Sequence, residues 1–297
     1  MSENQQCRIS GTGLAATVSP QGAELHSITT IGTAGPSREL LWQAGPQWPR
    51  HSPVLFPIVG RLANDTLLHE GVAYRMTQHG FARDRLFRLV SHDAQSCRFL
   101  LEDDAQSREI YPFAFRLEIE YRIDAATLTV LYILSNPSDV TLPASLGAHP
   151  AFIWPLDPGF APEAHEILFA QDEAAPIRRL SGGLLRTQTE PTPIRGRHLA
   201  LQASLFADDA VILENPASNA LRYGIPGGPA LQIGWQGFSQ LGLWSKPSAP
   251  FLCVEPWAGL SSAQGFEGEF TTKPYVRLIP PGAAWQASWT LTPENIA

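Results

Sequence analysis

Proline and glycine leave this chain little room for helices. Its 26 prolines and 24 glycines are spread over all 297 residues, so few windows could carry a helix longer than about three turns without a breaker. The core must then come from strands, and the periodicity agrees. In FAFRLEIEYRI, Phe115, Leu117, Ile119, Tyr121 and Ile123 alternate with Arg116, Glu118, Glu120 and Arg122, an apolar face against a charged one. The next run, TLTVLYILSN, is apolar in both alternating sets and predicts a strand covered on both faces, with Asp124 to Ala126 turning the chain between the two. Near the C-terminus Trp285, Ala287, Trp289 and Leu291 alternate with Gln286, Ser288, Thr290 and Thr292, after a turn at LIPPGAAW. Short apolar runs such as GLAATVS, LFRLVS, CRFLLE and QLGLWS recur between turn formers, without a linker, repeat or composition break. The expectation is an all-β fold in which residues 1–297 form a single domain, one large antiparallel β-sandwich.

A hydrophobic fraction of 44% against 16% charged residues excludes a disordered chain. The formal net charge of -7 argues against a nucleic-acid partner, which needs a basic face to neutralise phosphates. Cys7, Cys97 and Cys253 are odd in number and lack CxxC spacing, which indicates neither a disulfide framework nor a zinc knuckle. No apolar run is long enough to span a membrane, and MSENQQCRIS has neither a basic nor an apolar leader region, so a cytoplasmic location is expected.

Four islands depart from the strand-and-turn background: SPVLFPIVGRLAN, QHGFARD, SLGAHPAF and FLCVEPWAG. Each sets an ionisable residue among glycines, prolines and aromatics, namely Arg61, His79, His149 and Glu255. Each also has a plain structural explanation. His79 could be a solvated turn residue, His149 a satisfied core histidine, and Arg61 the ion-pair partner of Glu255. Glu255 is the hardest to explain away, because a carboxylate at the end of a buried strand is costly unless it is paired.

Taken together, two histidines and a glutamate in apolar surroundings suit general acid–base chemistry: an imidazole already near neutrality and a carboxyl that burial can raise toward it. No GxSxG elbow, P-loop or GxGxxG is present, so acyl transfer, nucleotide hydrolysis and dinucleotide redox chemistry lack their motifs. Trp257, two residues beyond Glu255, could pack on the C–H face of a sugar, with core packing as its alternative. His26, His51, His69, His92, His165 and His198 have no metal-ligand spacing and read as structural or solvated, so no metal is expected.

PVLFPIVGRL, QHGFARD, LGAHPAF and CVEPWAG, with GAELHSI and ELLW before them, resemble in order the aldose 1-epimerase (galactose mutarotase) superfamily, and within it the LacX-like subgroup. The resemblance runs from about Gly22 to the last strands. It implies a galactose mutarotase-like β-supersandwich and interconversion of the α and β anomers of an aldose, without a cofactor. By the same resemblance Glu255 is the general base toward the C1 hydroxyl and His149 the general acid toward the ring oxygen. His79 is a second histidine polarising that oxygen, and Arg61 a ligand of sugar hydroxyls. The family's substrate-gripping aspartate would be Asp208 or Asp209, of which Asp209 is preferred. QHGFAR also resembles the hexose-6-phosphate 1-epimerases, in which Arg83 would hold phosphate; its alternative is an ion pair with Asp84. The expected partner is a small sugar or sugar phosphate, and the expected state a monomer or weak homodimer. A non-catalytic sugar-binding or sensing protein, or an interaction module on the same sandwich, would keep the fold without the acid–base set.

Overall fold

The alternation at residues 115–123 marks the middle of the larger of two main sheets. The structure, a computed structural model, describes residues 6–32 and 37–296; residues 1–5, part of the segment read for a leader, lie outside them. The larger sheet has nine antiparallel strands, and its centre is formed by Ala230–Gln236, Ala284–Glu294, Thr127–Ser135, Arg116–Asp124 and Ser96–Glu102 in that order. Arg116–Asp124 and Thr127–Ser135 form a hairpin in which Asp124 pairs with Thr127, leaving Ala125 and Ala126 to turn the chain. Ala125 takes the left-handed conformation that such a tight turn requires.

Thr127–Ser135 is less covered than its sequence predicts. Leu128, Val130, Tyr132 and Leu134 are buried, but Leu131 and Ile133 are only partly so. They face outward, where their cross-strand neighbours are Glu120 and Glu118 on one side and Ser288 and Gln286 on the other. The stems of these polar side chains give partial cover, and no second layer is needed.

The second sheet has six strands ordered Val211–Leu213, Gln240–Trp244, Phe251–Ala258, Leu146–Ala148 and Val54–Leu55, with Ala151–Ile153 also paired to Phe251–Ala258. Every residue of Phe251–Ala258 is buried. The period of two sorts them. Leu252, Val254 and Ala258 enter the core shared with the nine-stranded sheet, where Phe152 meets Trp289 edge to face, whereas Phe251, Cys253 and Trp257 pack on the opposite side. Glu255 belongs to that opposite set. Loops cover it, and the site forms between them and the sheet.

Helix is scarce, as the prolines demand. The α-helix Ala105–Ile110 has six residues, opened by a capping box between Asp104 and Ser107. Among the described residues no helix is long and apolar enough to cross a membrane.

Candidate active site

Glu255 and Trp257, two residues apart on the Phe251–Ala258 strand, point to the same side of the sheet and into a cavity of about 300 Å³. Leu146–Ala148 runs antiparallel beside that strand, and His149 follows directly after it. This brings His149 Nε2 to 3.2 Å from Glu255 Oε2, with both side chains buried. Trp48 stacks on the His149 ring at 4.9 Å, and Trp244 meets its edge at 5.7 Å.

QHGFARD reaches the cavity by backbone geometry. His79 and Gly80 both have positive φ, and a Cβ on Gly80 would lie 2.2 Å from the Phe56 carbonyl oxygen, so only glycine fits there. That oxygen accepts hydrogen bonds from the Phe81 and Ala82 amides, which pins the turn to the chain leaving Val54–Leu55. His79 is clasped from both sides: its amide donates to the Gly60 carbonyl at 2.8 Å, and its Nδ1 accepts from the Gly60 amide at 3.2 Å. Accepting at Nδ1 leaves the proton of the neutral ring on Nε2, with the Gln78 side-chain amide 3.3 Å away turned to present its oxygen to it. The ring then meets His149 edge to face at 5.8 Å.

The electrostatics follow from burial. Desolvation and then the charge of Asp209 push the Glu255 carboxyl well above the ordinary carboxylate range. The Trp257 indole N–H favours the ionised form but sits beside the carboxyl without an aligned hydrogen bond. Burial, reinforced by the Arg83 guanidinium, lowers His149 to about 3. His79 is held well below its usual value by burial, then by His149 and Arg83. Glu255 and His149 are therefore a close pair in which the carboxyl is favoured to hold the titratable proton and the imidazole to stay neutral, and separated charges in the free protein are disfavoured. Glu255 Oε2, His149 Nδ1 and Trp257 Nε1 are all buried without an aligned hydrogen-bond partner, an uncommon concentration of unsatisfied polar atoms.

The other sequence-selected residues divide. Asp209 lines the cavity, with a left-handed backbone and one carboxylate oxygen on the Ala210 amide, while Asp208 is exposed and faces Arg186. Arg83 also lines it, donating to the Gln78 carbonyl at 2.7 Å; Asp84 lies 3.8 Å from its Nε and is taken at 2.7 Å by Arg50. Arg61 is not brought to the cavity wall, nor is it the partner of Glu255. Asp65, four residues on, accepts from both Nε and one terminal nitrogen, and the guanidinium turns outward with the side chain 42% exposed.

Sequence reasoning passed over Trp48 and Trp244. Neither sits in one of the four islands, and the only signal was that both lie in loop or strand-end stretches where a tryptophan has little core to fill. A wider groove of about 540 Å³ lies apart from this site, lined by Tyr275, Arg277 and Trp285 among others, and holds no acid–base pair.

The family model described as aldose 1-epimerase matches residues 5–276. The plasmid-encoded protein LacX of Lactococcus lactis subsp. lactis is 30% identical over 270 residues, covering 86% of this chain and 90% of its own. A galactose mutarotase related enzyme from Lactobacillus acidophilus superposes with a TM-score of 0.88 at 30% identity, over 98% of this chain and 97% of the other. A galactose mutarotase-like protein from Lactobacillus casei gives 0.89 at 26%, over 98% and 100%.

Proposed function

The chain belongs to the aldose 1-epimerase family, and on that premise we propose that it interconverts the α and β anomers of an aldopyranose by general acid–base catalysis. The observation that carries this reading is the buried contact of 3.2 Å between Glu255 and His149, under a roof of tryptophan. With the pair written as carboxylate and imidazolium, Glu255 takes the proton of the C1 hydroxyl while His149 delivers its own to the ring oxygen. The C1–O5 bond breaks, its electron pair stays on oxygen, and C1 becomes a carbonyl. The pair is left as carboxylic acid and neutral imidazole, the form that burial favours. Rotation about C1–C2 followed by the reverse transfers closes the ring on the other face. The net charge of the site stays constant throughout, which suits a cavity where an isolated charge is expensive.

In this reading His79 donates from Nε2 to the ring-oxygen region, Asp209 accepts from sugar hydroxyls, and the indole faces pack on C–H groups. Residues 1–297 act as one functional domain. A phosphorylated aldose is the second reading, supported by Arg83, whose guanidinium lines the cavity with its Nε unpartnered. Polarimetry or saturation-transfer NMR on glucose, galactose and their 6-phosphates tests both. His149→Ala should lose about 10²–10⁴-fold of the acceleration; full activity in both His149→Ala and Glu255→Gln would sink the proposal. An Arg83→Ala loss confined to the phosphorylated sugars identifies a phosphate ligand, and equal losses favour the neutral aldose.

A further inference from the structure

At the loop that carries Trp48 sits a second cluster of titratable groups, which the mechanism does not use. Glu24 is buried, and its Oε1 accepts from the His51 and Ser52 amides at 2.8 and 3.0 Å. Among the described residues no arginine or lysine lies within 4.0 Å of this carboxylate; only two imidazoles approach it. His26 Nε2 is 3.9 Å from Oε2, and His51 Nδ1 is 3.9 Å from Oε1. The two rings stack at 4.3 Å with 20° between their planes. One donor atom from each of the three residues lies within 4.8 Å of the others.

We propose that Glu24, His26 and His51 form a binding site for a divalent transition-metal ion, with Zn²⁺ as the best match. Two imidazole nitrogens and one carboxylate oxygen are a donor set that Zn²⁺ accepts, with a fourth position left for water. Tetrahedral ligands at Zn²⁺ distances stand about 3.3 Å apart, whereas these donor atoms lie within 4.8 Å of one another, so they must close by as much as about 1.5 Å. Both histidines are partly exposed, which leaves them room to do so. The Gln6 side-chain amide meets His26 Nδ1 at 3.1 Å through its nitrogen; for His26 to ligate through Nε2 and donate from Nδ1, that amide must turn over and present its oxygen. A bound cation supplies the positive charge that the buried carboxylate lacks. It also ties the Leu25–Thr30 strand to the loop whose Trp48 covers His149.

The spacing of residues 24, 26 and 51 matches no zinc motif, so the sequence predicted no metal; a sheet and a loop bring the three together. A competing trio exists at His149, Cys253 and Glu255, and the test must separate the two. Calorimetric titration of ZnCl₂ into the chelator-treated full chain should give one tight site. His26→Ala and His51→Ala should each weaken it by about 100-fold or more, judged from the 10–100-fold cost of losing even an outer partner. Cys253→Ser, and His198→Ala at an exposed His–Glu pair, should leave it intact. Zinc should raise the melting temperature of the wild type and not that of the His26→Ala/His51→Ala double variant, whose fold is verified by near-ultraviolet circular dichroism without metal. If the double variant does not fold, His26→Gln with His51→Gln takes its place. No binding to the wild type, binding that survives loss of both histidines, or binding that disappears in Cys253→Ser overturns the proposal.

Discussion

The two sheets solve opposite problems with the same secondary structure. In the nine-stranded sheet, Arg116–Asp124 alternates buried and accessible residues, and its outward charges are paired: Arg98 on the neighbouring strand with Glu120, and along the strand itself Arg122 with Glu120 and Arg116 with Glu118. In the six-stranded sheet, Phe251–Ala258 is buried on both faces, and its one carboxyl has a neutral imidazole for company. Charges that face water are cheap to hold and contribute little. A carboxyl with no water must take a proton or a partner, and that frustration is what the proposed acid–base chemistry would draw on.

The largest expected break in this contrast is at Glu255. Glu255→Gln should remove about 10²–10⁴-fold of the catalysed rate, yet leave the protein at least as stable, because the amide carries no charge to desolvate. The pH dependence sharpens the point. The folded pKa of Glu255 is raised, so the unfolded chain ionises first as pH climbs. The favourable contribution of the protonated carboxyl is therefore complete below about 4.5 and is lost as pH rises through the folded value. Denaturation midpoints should show Glu255→Gln gaining on the wild type across that window, by up to about 1.4 kcal/mol per pH unit. A constant difference would mean that the carboxyl is ionised in the fold.

Next in size is a pair of glycines. A Cβ on Gly242 would come within 2.4 Å of the Trp257 ring, and one on Gly147 within 2.6 Å. The two residues lie on the strands flanking Phe251–Ala258, so the indole lies flat over sites that carry no side chain. Gly242→Ala should cost about 1–3 kcal/mol in urea denaturation. It should also lower kcat/KM by as much as about 100-fold through a displaced cavity wall, with Glu255 and His149 unchanged. Lost stability with full activity would make Trp257 a core residue only.

What was legible in the sequence follows the same division. The strands around residues 115–135 and 284–294 could be read because one face meets water and the pattern shows it. In Thr127–Ser135 the sequence suggests cover on both faces because composition does not distinguish a second layer from the stems of Glu118, Glu120 and Gln286. Glu255, His149 and His79 stand out as ionisable groups in apolar text, Asp209 and Arg83 come from the family resemblance, and these five line one cavity with Trp257. Arg61 stands off the cavity wall because Asp65, four residues on, takes its guanidinium, a pairing that the motif around it does not signal. Trp48 and Trp244 were missed because stacking on His149 is long-range, and no local pattern encodes it.

The smallest effect should come from the surface ladder, and its smallness is what the contrast needs. Arg98 lies directly opposite Glu120 and donates to it from two nitrogens, and Arg122 joins from the same strand as Glu120. Burial alone would raise the Glu120 carboxyl, but the hydrogen bonds from Arg98 and Arg122 outweigh it and leave the value below the ordinary one. Its contribution is therefore present above about pH 4.5 and is lost as pH falls through the lower folded value. Arg98 is a third exposed, so solvent screens the pair, and Arg98→Gln should cost no more than about 1 kcal/mol at pH 7. The loss should shrink further in 1 M salt, where the screening length falls to about 3 Å. Urea midpoints at low and high salt measure both. A cost of several kcal/mol that ignores salt would show that this ladder is as dry as the cavity around Glu255, and the two sheets would no longer differ in how they hold charge.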